Sequence, residues 1–158
     1  MELVRKLLVI CIFWSSSFSY AFEDGTYLHQ VIEDPSYLTA WNELFENSAD
    51  VDDWLKEYSV TLDGVQSQVL KMEVEGSRYE VFKVCKPHDC GDNAFAVIFL
   101  PSNGEALGLL VKSKYVRVYN ENINRFESKR LEENRFFGSW ASVANEKKLK
   151  KMLVETTR

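Results

Sequence analysis

Residues 85–90 read Cys-Lys-Pro-His-Asp-Cys. Two thiols, an imidazole, a carboxylate and an ammonium fall within six positions. Several chemistries could use them. Cys85, His88 and Cys90 are zinc-ligand types, but a structural zinc site takes four ligands and no fourth stands nearby. A thiol-redox pair usually has two residues between its cysteines, and here there are four. A disulfide needs the chain to turn back between them. Pro87 favours that because its ring fixes φ. Gly91 and Asn93, just beyond, tolerate turn geometries. Closing so short a ring restricts the unfolded chain by roughly 2 kcal/mol. The larger effect is local: a loop of one shape loses little entropy on binding.

The N-terminus favours the disulfide. Arg5 and Lys6 precede an apolar stretch, Leu7 to Trp14, which is too short to span a bilayer. Small and polar residues follow to Ala21. This pattern predicts a secretory signal peptide over residues 1–21, cut after Ala21, rather than a retained anchor. Ile10 before Cys11 does not suit a lipoprotein. Cleavage removes Cys11 and leaves Cys85 and Cys90 as the only cysteines of residues 22–158. A pair in an oxidising compartment reads as a disulfide.

Charge narrows the partners. Residues 22–146 hold 12 Lys and Arg against 22 Asp and Glu, a net of −10. Such a body repels nucleic acid and anionic lipid and attracts a basic protein. The basic run Lys147, Lys148, Lys150 and Lys151 reads as the solvated face of a C-terminal helix.

Elements must hold the loop. Asp34-Pro35 is a helix start, and Leu38, Trp41, Leu44 and Phe45 place an apolar face on 35–47. Val51 to Glu57 predicts a short helical turn with Trp54 and Leu55 inward. Residues 68–75 alternate, Gly76-Ser77 is a turn, and 78–84 is strand-forming, so the stretch predicts a hairpin. Ala94 to Leu100 is apolar on both faces and reads as a central strand. Pro101 to Gly104 is a turn cluster. Residues 106–112 and 114–119 read as two further strands, and 120–137 gives no clear pattern. Trp140, Val143 and Ala144 predict the start of a C-terminal helix. Trp41, Trp54 and Trp140 read as core, and His29 as solvated. The expectation is one α+β domain over 22–158. It has an antiparallel sheet of about five strands with helices packed on one face. No Gly-x-Ser-x-Gly elbow is present, and nothing calls for a metal or cofactor.

A loop between the strands ending at Val84 and beginning near Ala94 projects from the sheet end. It is convex, whereas active sites are concave. The string Cys85 to Cys90, with Gly91 after it, resembles the signature of the inhibitor-of-vertebrate-lysozyme (Ivy) family. The resemblance extends loosely from about residue 37 to 113. It implies a non-enzymatic periplasmic inhibitor of Gram-negative bacteria acting on chicken-type lysozyme, a basic protein. Those lysozymes cleave glycan with two carboxyl groups, and an imidazole between them would block the site. The resemblance gives that role to His88. Lys86 and Asp89 flank it, where they would meet charges around the cleft. Other readings are a regulator of the cell's own lytic transglycosylases and a non-inhibitory envelope-binding protein.

Overall fold

The computed structural model describes residues 23–46, 48, 50–100, 105–139 and 145–157. The predicted signal peptide, the turn at 101–104 and the positions of Trp140, Val143 and Ala144 lie outside them.

Among the described residues, four helices and six strands follow in the order α1 (Leu28–Val31), α2 (Pro35–Glu46), α3 (Asp53–Thr61), β1 (Val65–Gln66), β2 (Leu70–Val74), β3 (Ser77–Cys85), β4 (Asn93–Leu100), β5 (Glu105–Asn120), β6 (Arg125–Phe137) and α4 (Glu146–Thr157). All strand pairs are antiparallel in an open sheet ordered β1-β3-β4-β5-β6, with β2 also on β3. The α+β expectation holds, with six strands.

Local chemistry accounts for the starts and turns. Asp34 caps α2: its Oδ1 accepts from the Ser36 amide at 2.8 Å and the Ser36 hydroxyl at 2.6 Å. Those bonds, the hydroxyl's first, hold the Asp34 carboxyl below its ordinary range. The β2–β3 turn is Glu75-Gly76, one residue earlier than expected. Both have positive φ, 51° and 78°, as the tightest hairpin turns require. Ser77 instead pairs with Val74 and opens β3.

β4 is the central strand the sequence indicates. Ala94 to Leu100 are all buried, with alternate residues feeding two cores. On one face Phe82, Phe95, Phe99 and Leu110 pack under Trp41, Leu44, Leu55 and Tyr58 of α2 and α3. On the other, Val81, Ala96, Ile98 and Leu109 pack under Leu149 and Leu153 of α4. Helices therefore cover both faces, which corrects the one-face expectation. A strand apolar on both sides must be covered on both. Lys83 ties α4 down: its Nζ donates to the Thr156 carbonyl at 3.2 Å, where the helix end carries partial negative charge. Burial lowers the Lys83 pKa.

Three other expectations change. Leu38 is 42% exposed, and Ala40 joins Trp41 and Leu44 at the buried face of α2. The short turn at 51–57 is a nine-residue helix that begins at Asp53 and buries Leu55 and Tyr58. Residues 106–119 form one strand, and β6 pairs with it from Gly108↔Phe137 to Asn120↔Arg125.

Gly108 makes one packing contact possible. A Cβ there would lie 2.5 Å from the Phe95 ring, which crosses the glycine, and 3.2 Å from the Phe137 Cβ. Gly108→Ala should cost about 1–3 kcal/mol by overpacking. Urea denaturation measures it, and an unchanged midpoint would contradict the close packing.

Candidate functional site: a stapled loop at the sheet end

β3 ends at Cys85, which pairs with Ala94 next to the start of β4. Between them the chain makes two successive turns. In the first, the Asp89 amide donates to the Lys86 carbonyl at 3.0 Å. Pro87 occupies the second position of this turn, and His88 the third with φ 63°. Proline followed by positive φ is the pattern of a type II turn, and histidine is among the few side chains enriched at positive φ. In the second, the Asp89 carbonyl accepts from Asp92 at 3.1 Å and Asn93 at 2.9 Å. The Lys86 amide donates to the Asn93 carbonyl at 3.1 Å and closes the base.

Cys85 and Cys90 form a disulfide across the first turn, with Cα atoms 4.9 Å apart. Cys85 is buried under the sheet end and Cys90 is exposed. The staple therefore fastens the exposed turn to the core. Both cysteines are used in it, so neither is free to ligate zinc. Among the described residues no group of three or more His, Cys, Asp or Glu could hold a metal ion.

The polar side chains divide into two sets. Lys86 and Asp89 are half-buried and face each other, Nζ to Oδ2 at 3.3 Å. The same Oδ2 accepts from Asn93 Nδ2 at 2.7 Å. Asp89 thus braces the loop from inside. Pro87 and His88 are exposed at the apex. The imidazole makes no hydrogen bond or ion pair with any described residue.

The loop also leans on β5 and β6. The Ser113 amide donates to the Asp92 carbonyl at 2.7 Å. Arg130 Nη2 donates to the Gly91 carbonyl at 2.6 Å and to Ser113 Oγ at 2.8 Å, and lies 3.8 Å from Asp92. Sequence reading did not single out Arg130. Its position in the unpatterned 120–137 stretch gives no local cue, and only the β5–β6 register brings it to the loop.

His29, the other histidine, is exposed on α1, and its Nδ1 lies 3.2 Å from Gln66 Oε1. Trp41 is fully buried, and Trp54 is half-buried against the same core. The described residues contain no helix long and apolar enough to cross a membrane.

The architecture defines a class: an α+β domain that carries a disulfide-closed loop at the end of its sheet. The family model described as "Inhibitor of vertebrate lysozyme (Ivy)" matches residues 36–133, from α2 into β6. The chain belongs to that family. It is 33% identical over 89 residues to a Pseudomonas aeruginosa protein named inhibitor of vertebrate lysozyme. That match spans 56% of this chain and 56% of the relative, so the two align over little more than half their lengths. An uncharacterized P. aeruginosa protein, PA5481, is 26% identical over 117 residues, which is 71% of this chain and 73% of that one. The family match includes β5 and much of β6, beyond residue 113 where the sequence resemblance ends.

Proposed function

We propose that this chain is an exported, non-enzymatic inhibitor of chicken-type lysozyme that inserts the Cys85–Cys90 loop into the enzyme's active site. Family membership and the inhibitor named among its relatives support the target class. One observation carries the mechanism. His88 stands exposed at the apex of a covalently closed turn while the charged residues beside it, Lys86 and Asp89, are paired with each other.

The chemistry proceeds from that geometry. The catalytic cleft of such a lysozyme holds two carboxyl groups on either side of the scissile bond. An imidazole entering between them can donate a hydrogen bond to one and accept from or donate to the other. It then occupies the volume a sugar ring needs. The loop loses little freedom on entry, because staple, turn bonds and Arg130 already define its shape. Lys86 and Asp89 contribute mainly by holding the turn.

Export follows from the N-terminal pattern of residues 1–21, and an oxidising periplasm suits the disulfide. There the inhibitor would protect peptidoglycan from incoming lysozyme. The acidic body adds steering toward a basic enzyme. Raising salt from low to physiological strength, where charges are screened beyond about 8 Å, should therefore slow association. Stopped-flow mixing at several salt concentrations measures this, and an on-rate that ignores salt removes steering from the mechanism.

The direct test is a peptidoglycan-hydrolysis assay with purified protein against a chicken-type lysozyme and a lytic transglycosylase. Inhibition of the lysozyme is expected. Inhibition of the transglycosylase alone would transfer the loop to the cell's own enzymes. No inhibition of either, with binding to sacculi, would make the protein an envelope-binding component.

A further inference from the structure

β5 does not stop where its neighbours do. Lys112 pairs with Asn93, the first residue of β4, and β5 then continues eight residues to Asn120. β6 returns beside it from Arg125. The two make a ribbon that leaves the sheet at the same end as the loop. At about 3.3 Å per residue it extends roughly 26 Å past the start of β4. Four residues of turn, Glu121 to Asn124, close its tip.

The ribbon's two faces follow from register. Tyr115, Arg117 and Tyr119 pair with Arg130, Ser128 and Phe126, so these six side chains share one face. It is the face on which α4 and the Cys85 side chain lie, because Leu107 and Leu109 of the same parity pack against α4. Tyr115, Tyr119 and Phe126 are 62%, 47% and 59% exposed. Tyr119 and Phe126 meet edge to face at 5.2 Å, and Arg117 lies 5.2 Å from the Phe126 ring centre. Exposed rings grouped in this way suit an interaction surface. Tyrosine, phenylalanine and arginine are also residue types that protein interfaces concentrate at their centres.

We infer that this ribbon is a second arm of the inhibitor, laying its Tyr115–Arg117–Tyr119–Phe126 face against the rim of the same enzyme cleft that receives the loop. The inference rests on the proposed inhibition by the loop. Three observations select the enzyme as the occupant. The ribbon reaches well past the loop on the same sheet end, so a body seated on the loop apex lies alongside it. The base is locked to the loop through Arg130 and the Ser113 amide, so the two present a fixed geometry. A stable inhibitor complex buries about 800 Å² on each partner and takes roughly 20–30 residues, far more than a six-residue loop provides. Residues 113–132 supply the adjoining surface.

Charge gives the arm a selective role. Residues 113–132 hold five Lys and Arg against three Glu, a net of +2, whereas 22–112 hold six against 17, a net of −11. The body draws in a basic enzyme, and the ribbon favours rims where Arg117 meets a carboxylate. Lysozymes with the same catalytic pair but different rims are thereby discriminated.

The test compares two variants with the wild-type protein in lysozyme inhibition. One replaces residues 117–128 with Asn-Gly, which closes the ribbon early on the Val116↔Lys129 pair as a two-residue hairpin. The other, Tyr115→Ser with Arg117→Glu, keeps the ribbon and changes its face. Thermal unfolding checks that the body is intact. The shortened protein should show an inhibition constant raised by about tenfold or more, and the double variant several-fold, as loss of interface anchors produces. If both inhibit within a factor of about two of wild type, at 0.4 kcal/mol or less, the ribbon makes no contact and the inference is wrong. If wild type does not inhibit at all, the loop proposal fails first and the ribbon falls with it. If the wild-type ribbon, and not the shortened one, binds sacculi without enzyme while inhibition is unaffected, its partner is glycan and the enzyme contact is refuted.

Discussion

His88→Ala should weaken the complex with a chicken-type lysozyme by about 2–4 kcal/mol, on the scale of a central interface anchor. That is roughly a 30- to 1000-fold rise in Kd. The imidazole is the exposed apex group, and it has no hydrogen bond within the described protein, so its removal should leave the fold in place. A second effect must be separated from this one. Position 88 has φ 63°, and alanine tolerates that less well than histidine does. His88→Asn is the control, since asparagine also suits positive φ. Equal losses in the two variants, measured by calorimetry, assign the effect to the imidazole. Wild-type affinity in His88→Asn would assign it to the turn, and wild-type affinity in both would remove His88 from the interface.

Trp41→Ala should lower the unfolding free energy by about 3–5 kcal/mol, the range for emptying a fully buried large aromatic site. Trp41 is completely covered. Its ring meets Phe45 at 5.0 Å, Phe95 at 6.1 Å and Tyr58 at 6.3 Å between centroids. Its Nε1 donates to the Ser59 carbonyl at 2.9 Å, which ties α2 to α3. Alanine forfeits this packing and leaves that carbonyl without its indole donor. Phe95 belongs to β4, whose start closes the Cys85–Cys90 loop, so the cavity opens under the loop's scaffold. The loop itself keeps its staple and turn bonds. Denaturant melts should show a lower midpoint with an unchanged slope, while the folded fraction still inhibits. A loss below about 1 kcal/mol would mean that the helices close over the gap.

Local and short-range signals made much of this legible. The helix start at Asp34-Pro35, the alternation in β2, the two-sided apolar run of β4 and the six-residue loop each carry their information within a few residues. What escaped depends on distant partners. The break at Lys112-Ser113-Lys114 resembles a strand end. It instead marks where β5 leaves the core and no longer needs apolar alternation. β6 is exposed along nearly its whole length, so no hydrophobic period reveals it. Its turn lacks a glycine: Asn124 takes the positive φ of 50° and the Asn120 side chain accepts from the Asn122 amide. Likewise nothing in the helix patterns says which sheet face each covers. Leu38 has the right spacing for the buried face of α2, yet it is exposed at the helix's first turns.

The same division applies to the loop. Residue types and spacing point to the Cys85–Cys90 staple, and the family resemblance points to His88. That Lys86 and Asp89 pair with each other, and that Arg130 braces Gly91 from 39 residues away, emerges only in three dimensions. These contacts leave His88 exposed at the apex of a braced, disulfide-closed turn.

Steady-state kinetics with a soluble oligosaccharide substrate test most directly whether the loop fills the active site. Increasing inhibitor should raise the apparent KM of a chicken-type lysozyme in proportion while kcat stays constant, and His88→Ala should need far more protein for the same rise. A fall in kcat that saturating substrate cannot reverse would place the inhibitor outside the cleft and contradict the account.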